Sequence, residues 1–456
     1  MIIVDAGNLL FKKALSDSKG ISNTTALITA YGLVRAYKQM SYDAVGISSN
    51  DLSAGTEFFR RSIDNSFPWV AANIYDKKAN LLFSPHIIKK SGNLTIGIIG
   101  LTGAAGNNIE DFVISDWRKS LRKQIALLQK NCDMLVVLSS LNLSENKEIQ
   151  RNFKQIDIIV SASQKGRNIQ PQTIQNGLLI QGGGRGKYIG KLDITRNSEG
   201  SWHLASPQSP DYQKNRLRSI DRQLKQLAKQ QSLTGKDFSQ KMDRLRSSRE
   251  IISKQIAQQV TDLTEKKTLS AKSYKSSFLP VKPKSPTGKI GIIVQDIKKS
   301  INTFTRYQRA ALQPGDPAVR RALQNDEIAG ISSCVPCHEK QAEFWKNTRH
   351  SNAYATLSQQ GQSFNLQCLP CHVTAGKVIH SSVDSELLFL LTLSTDRQTI
   401  GCEVCHGPGN RHLLSPDEVT PERLPSEKIC LQCHTPDRDN NFDYQKKLAT
   451  IACPVD

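Results

Sequence analysis

Between residues 334 and 434 the chain repeats one frame, Cys-x-x-Cys-His. It comprises Cys334, Cys337 and His338 in CVPCH; Cys368, Cys371 and His372 in CLPCH; Cys402, Cys405 and His406 in CEVCH; and Cys430, Cys433 and His434 in CLQCH. Two thiols at this spacing can bond the two vinyl-derived carbons of one porphyrin, and the residue that follows then lies under the iron as proximal ligand. Zinc knuckles also use paired cysteines, but zinc needs no histidine directly after every second one. The repeat predicts four covalently bound c-type haems (heme c). Cys132 and Cys453 lie outside it, and in an oxidising compartment they are available for a disulfide.

Four irons have a second axial position each, and ligands for it are scarce. Beyond residue 330 the other histidines are His350, His380 and His412, and that stretch has no methionine. Three distal candidates face four irons, so one iron keeps an open or weakly held position unless His86, His203 or a lysine reaches it. If EKQAEFWKNTRH is mostly helical, its twelve residues carry His350 about 18 Å from His338. Two imidazoles on one iron must bring their nitrogens to about 4 Å, at roughly 2 Å per metal–nitrogen bond. His350 is therefore expected to serve a haem other than the first. The six residues from His406 to His412 contain Gly-Pro-Gly and are a poor length for reaching the far side of the third haem.

The phrases CVPCHEKQAEFWKNTRHSNAY, CLPCHVTAG and CEVCHGPGNRH resemble the tetrahaem cytochrome c-554 family over about the last 125 residues. The resemblance implies closely stacked haem pairs, with three irons bound by two histidines and one five-coordinate. It assigns His350 to the third haem and His412 to the first, and leaves the haem at His372 open. No histidine follows His434, which departs from the family pattern and leaves His380 as the expected ligand of the fourth haem.

The elements that must carry this cluster follow from the rest of the sequence. A chain of 456 residues is expected to form two or three domains. No apolar run reaches the length of a membrane span, and MIIVDAGNLL shows no signal-peptide pattern. Because c-type haem is attached outside the cytoplasm, the protein is expected in the periplasm or at the cell surface. From residue 331 onward there are 11 lysines and arginines against 14 acidic residues, which leaves 50 against 27 for residues 1–330. The basic part could receive an acidic redox partner or an anionic surface; its scarcity of aromatic residues argues against nucleic acid.

In the first 205 residues DAGNLLF, YDAVGISSNDLSAG, LTIGIIGLTG, DMLVVLSSLNLSENKEI, IDIIVSASQKG and LLIQGGGRGKYIGKLDI alternate as strand, loop and helix. Their order resembles the metallophosphoesterases of the 5'-nucleotidase type, which implies an αββα sandwich holding two metals at its strand ends. The family ligands are replaced here. Asn8 stands for the bridging Asp, Ser49 and Asn50 for Asn-His, Ser140 for a strand-end His, and Ser163 and Lys165 for the paired histidines. Hydroxyls and amides do not replace imidazole and carboxylate at a dinuclear site, and a lysine repels cations. The family's first strand is expected to precede Met1.

Residues 206–275 are expected to insert a helical hairpin. Leu217, Ile220, Leu224 and Leu227, then Phe238, Met242, Leu245, Ile252, Ile256 and Leu263, recur at three and four, with a turn at 232–237. It would pack on its own domain or act as a docking or oligomerisation arm. Residues 276–325 are read as a return to the sandwich and a linker, and 326–456 as a mostly helical tetrahaem cytochrome domain. The function expected is electron transfer between redox partners or terminal acceptors. The alternatives are a haem enzyme acting on a small nitrogen or oxygen species at an open iron, and a working phosphoesterase.

Overall fold

The structure, a computed structural model, describes residues 1–11, 13–15, 21–64, 66–104, 111–162, 169–183, 186–196, 202–204, 217–218, 220–228, 231, 238–264, 272–281, 288–311, 327–374, 393–435, 438–439 and 442–454. The N-terminal part is mixed α/β and the C-terminal part is helical. Two compact units emerge. One comprises Met1–Leu9, Tyr42–Leu52 and Pro68–Pro283; the other comprises Leu10–Ser41, Ser53–Phe67 and Lys284–Asp456. The second unit thus includes two early excursions of the chain, which the expected sequential boundaries do not contain.

The first unit is built on apolar runs. β1 (Val4–Asp5), β2 (Ala44–Gly46) and β3 (Trp69–Val70) form a short parallel sheet, and β4 (Ile74–Tyr75) pairs with β7 (Val113–Ile114). The main sheet contains β5 (His86–Ser91), β6 (Leu94–Leu101), β8 (Met134–Ser139), β9 (Ile158–Ser161), β10 (Ile169–Ile174) and β11 (Gly177–Gln181). Its order is β10-β11-β9-β8-β6-β5, with the central four parallel and both edge strands antiparallel to their neighbours. Helices α3 (Trp117–Leu128) and α4 (Leu143–Asn152) connect the parallel strands, as such pairing requires a crossover.

Side chains alternate across the sheet. Ile99, Leu101, Leu135, Val137, Ile159 and Leu179 meet Trp117, Leu121, Ile125 and Ile149 of the helices. Ile98, Met134, Val136, Leu138, Ile158 and Leu178 face the other way, toward Ala44, Val70, Trp202 and Tyr274. The period of two explains why uninterrupted apolar runs are needed: both faces are buried. Gly100 lies where β6 passes close to β3, since a Cβ there would stand 2.0 Å from the Val70 carbonyl oxygen.

The hairpin expected at 206–275 is visible as helical residues 220–228 and the helix Ser239–Thr264. Ile220, Leu227 and Ile252 are buried, and Arg249 Nε donates to Asp221 Oδ1 at 2.8 Å. The expected turn at 232–237 lies outside the described residues. The chain returns as β14 (Lys272–Pro280), antiparallel to β12 (Tyr188–Arg196) and parallel to β13 (Trp202–Leu204). A buried ion pair fixes this return. Lys272 Nζ reaches Asp157 Oδ1 at 2.7 Å, with both side chains under one tenth exposed, and Asp157 Oδ2 accepts from the Leu135 amide at 3.0 Å.

In the second unit α1 (Ile21–Gln39) packs on the helix Gly288–Ala310. The contact is close at Gly32 and Ile297, and Arg35 Nη2 bonds Asp296 Oδ2 at 3.1 Å. The stretch read as linker is therefore largely a long helix. Its apolar residues Ile290, Ile293, Ile297 and Ile301 recur at three and four and line one face. α2 (Thr56–Asp64) adds Phe58, whose ring lies 4.6 Å from that of Tyr31. Beyond residue 327 the helices are short, from Ile331–Cys334 to Tyr444–Ile451. The hydrophobic cluster there is small: Leu357, Leu369, Val373 and Leu393, with Phe304 from the long helix.

Candidate functional site

Each Cys-x-x-Cys-His unit sits at a short helix or turn. Ile331–Cys334, the 3-10 turn Leu369–Cys371, Cys402–His406 and Glu427–Cys430 each hold at least one cysteine of a unit, and the amides of His338 and His434 bond the carbonyls of Cys334 and Cys430. The four units are not strung out. The Cys334 and Cys402 thiols are hydrogen-bonded to each other, as are those of Cys371 and Cys433. In the unmodified chain the bond from Cys433 pushes the Cys371 thiol down to about 6, while the Cys334 contact and burial drive Cys402 up.

The histidines form cross-unit pairs. The rings of His338 and His412 lie 6.3 Å apart between centroids and 29° from parallel; those of His350 and His434 are also 6.3 Å apart, at 55°. With roughly 2 Å for each bond to a metal and a ring radius at either end, two imidazoles on opposite sides of one iron have centres about 6 Å apart. Both pairs have that spacing.

Hydrogen bonds select the free nitrogen of most of these rings. Nδ1 faces Ala353 O at 2.7 Å in His372, Glu422 O at 2.6 Å in His406 and Val419 O at 2.6 Å in His412. A carbonyl can only accept, so Nδ1 carries the proton and Nε2 is left as donor to a metal. His434 Nδ1 instead faces Asp439 Oδ2 at 3.1 Å, so a carboxylate rather than a carbonyl orients this ring. Burial, with the neighbouring His434, holds His350 below the usual histidine range and thus neutral, as a ligand must be.

The position of His350 differs from the family-based assignment, which gave it to the third unit; its ring neighbours that of the fourth. Helix Glu339–Lys346 ends four residues earlier, and a strap at 399–400 then fixes the turn. Trp345 Nε1 donates to Ile400 O at 2.8 Å, the Ile400 amide to His350 O at 3.3 Å, and Thr399 Oγ1 to Ser351 O at 3.0 Å. His412, as the resemblance implies, stands opposite the first unit. His380 lies outside the described residues. His86, in the first unit of the fold, has Nδ1 at 2.7 Å from Gln124 Oε1; His203, in β13, pairs through its backbone with Ser273 of β14.

The residues fit haem on a further ground. Leu413, Leu414 and Leu431 are exposed although they lie within three residues of a histidine, and the buried apolar residues described beyond 327 are few. Macrocycles would cover these side chains and supply the missing core.

The strand ends of the α/β part present a different chemistry. Asp51 is fully buried, and its Oδ2 accepts from the Asn8 amide, the Ser48 amide and Ser48 Oγ at 2.8–2.9 Å. Asn8, at φ 59°, reaches Ala162 O through Nδ2, while Asn50 Nδ2 reaches Asn8 Oδ1, both at 3.4 Å. Ser140 Oγ donates to Ile47 O at 3.2 Å and Ser139 Oγ to Asn146 Oδ1 at 2.6 Å. These groups bond one another and neighbouring backbone carbonyls, and among the described residues no cluster of three or more His, Cys, Asp or Glu could hold a metal ion. Ser163 and Lys165 lie outside the described residues. Ser49, also at this edge, is half-buried.

Residues 333–407 match the profile of the family described as cytochrome c554 and c-prime. The match takes in three Cys-x-x-Cys-His units and ends before the fourth. Among solved structures, the chain is similar over its N-terminal part to a sulfate thiohydrolase SoxB of Thermus thermophilus in complex with glycerol. Identity is 16% and the TM-score 0.36, covering 42% of this chain and 35% of that one. A 5'-nucleotidase precursor from the same organism gives 21% and 0.35, covering 44% of this chain and 43% of the other. The calcineurin-like phosphoesterase YfkN from Bacillus subtilis gives 19% and 0.35, covering 45% and 74%. The chain thus spans less than half the length of the first two. No curated protein matches it. Among the described residues no helix is long and apolar enough to cross a membrane.

Proposed function

We propose that the chain is an exported tetrahaem c-type cytochrome that transfers electrons between redox partners, with its α/β part as a catalytically silent platform. The observation that carries this reading is the presence of two imidazole pairs at axial spacing, each joining a Cys-x-x-Cys-His histidine to a histidine from elsewhere. Bound haem supplies one-electron chemistry, with its potential tuned by axial ligands and burial. The cysteines anchor, His338 with His412 and His434 with His350 provide two axial sets, and the backbone carbonyls and Asp439 orient four of the rings.

The intact protein is expected to exceed its polypeptide mass by four haems, and Cys402→Ala to weaken attachment of the third alone. A protein that carries zinc and no haem would end the cytochrome reading.

A second reading, small-ligand chemistry at an open iron, draws on the histidine count. Beyond residue 330 His380 alone remains for the two irons at His372 and His406, so that part of the chain supplies no histidine opposite one of them. Cyanide or nitric oxide should bind one site readily and the paired-histidine irons slowly. Equal resistance at all four irons would remove this reading.

For the α/β part, no phosphatase or nucleotidase turnover is expected with added manganese or zinc, because serine and amide side chains in place of His and Asp ligands do not hold two cations or activate water. Metal-dependent turnover abolished by Asn8→Ala would reverse that assignment.

A further inference from the structure

Glu403 lies between the two cysteines of the third unit and is only 7% exposed. A buried carboxylate is costly unless hydrogen bonds compensate it. Here Oε1 accepts from the amides of Ala329 at 2.8 Å and Gly409 at 2.7 Å, and Oε2 from the amide of Gly330 at 2.8 Å. Charge-assisted bonds of this kind are roughly twice as strong as neutral ones.

The three donors belong to two separated segments. Ala329 and Gly330 lead directly into helix Ile331–Cys334, which starts the first unit and ends in His338. Gly409 is the N-cap of helix Asn410–Leu414, which carries His412. A second bond runs in parallel, from the Asn410 amide to Glu327 O at 3.2 Å. The first segment is itself fixed: Gly330 has φ 91°, and Asp396 accepts from the amide and hydroxyl of Ser332 at 3.0 and 2.8 Å. His338 and His412 thus approach each other from two segments joined through one side chain of a third.

We infer that Glu403 is a positioning residue for the first haem: its carboxylate joins the segment leading to His338 to the helix carrying His412 and so sets their axial spacing. The inference rests on the haem reading above, but concerns a residue that is neither ligand nor anchor. Glutamine has the same shape and fails for a definite reason. It offers one carbonyl oxygen in place of two carboxylate oxygens, and its amide hydrogens would oppose a backbone N–H.

The test is Glu403→Gln in the haem-loaded protein, read by intact mass and by electron paramagnetic resonance of the oxidised form. Wild-type protein without haem mass would defeat the haem reading itself, before Glu403 is considered. With haem present, the variant should keep the wild-type number of haems by mass, gain a high-spin signal of up to one iron per chain and lose low-spin intensity to match. His412→Ala should give the full change, and adding Glu403→Gln to it should add nothing. A wild-type spectrum for Glu403→Gln, or an effect additive with His412→Ala, would overturn the inference. Should Glu403→Gln fail to assemble, Gly409→Ala decides. Its Cβ would meet Glu403 Oε1 at 3.0 Å while every donor and acceptor is kept, so a smaller change of the same kind is expected, and an unchanged spectrum overturns the assignment.

Discussion

His350→Ala should turn one further iron of the oxidised protein high-spin, and the iron affected should be the one bound at Cys430, Cys433 and His434. The two rings stand 6.3 Å apart between centroids, and alanine removes the only imidazole that the described residues place opposite His434. The consequence is large because burial holds His350 neutral and ready to ligate, so its loss removes a bond, not a surface contact. Identity is settled in a Cys430→Ala, Cys433→Ala background that lacks the fourth haem. There His350→Ala should leave the other three irons unchanged, and a new high-spin signal in that background would return His350 to the third haem.

Lys272→Ala should destabilise the α/β part by about 3–5 kcal/mol, the usual cost of stranding one member of a buried ion pair. Asp157 would keep its bond from the Leu135 amide but lose the cation at 2.7 Å, in surroundings where its side chain is 8% exposed. Lys272 also lies 5.7 Å from the Trp202 ring, so the stem and the charge both contribute packing. Urea unfolding followed by far-ultraviolet circular dichroism measures the effect. A loss below about 1 kcal/mol, typical of an exposed pair, would mean that water reaches Asp157.

The parts legible in the sequence are those whose cause is local. Five consecutive residues define a haem anchor, and apolar runs such as MLVVLS define strands buried on both faces. The distal ligands depend on something remote. Whether His350 turns toward the third or the fourth unit is decided by Thr399 and Ile400, some fifty residues away, and no spacing rule contains that information. Residues 288–310 could have been recognised, since Ile290, Ile293, Ile297 and Ile301 already show helical period; the neighbouring proline- and lysine-rich run masked it. Glu403 gave no signal at all. A glutamate between two cysteines reads as a solvated charge until its three amide partners are seen.

The two imidazole pairs also constrain biogenesis. They join residues 338 to 412 and 350 to 434, and these spans cross instead of nesting. The first loop can close before the second, but it then encloses His350, whose partner lies beyond it. In a chain delivered from its N-terminus onward, as the proposed export requires, His350 precedes its partner His434 by 84 residues. The closure entropy of such loops grows only slowly with length, so the delay is one of order and time more than of free energy. Chains stopped before His434 should therefore reach the haem-attachment machinery with the first pair able to form and the second open, leaving a partly ligated species exposed to proteolysis. The C-terminal unit is in this sense a checkpoint: the last anchor to arrive completes the coordination of His350, which follows the first anchor.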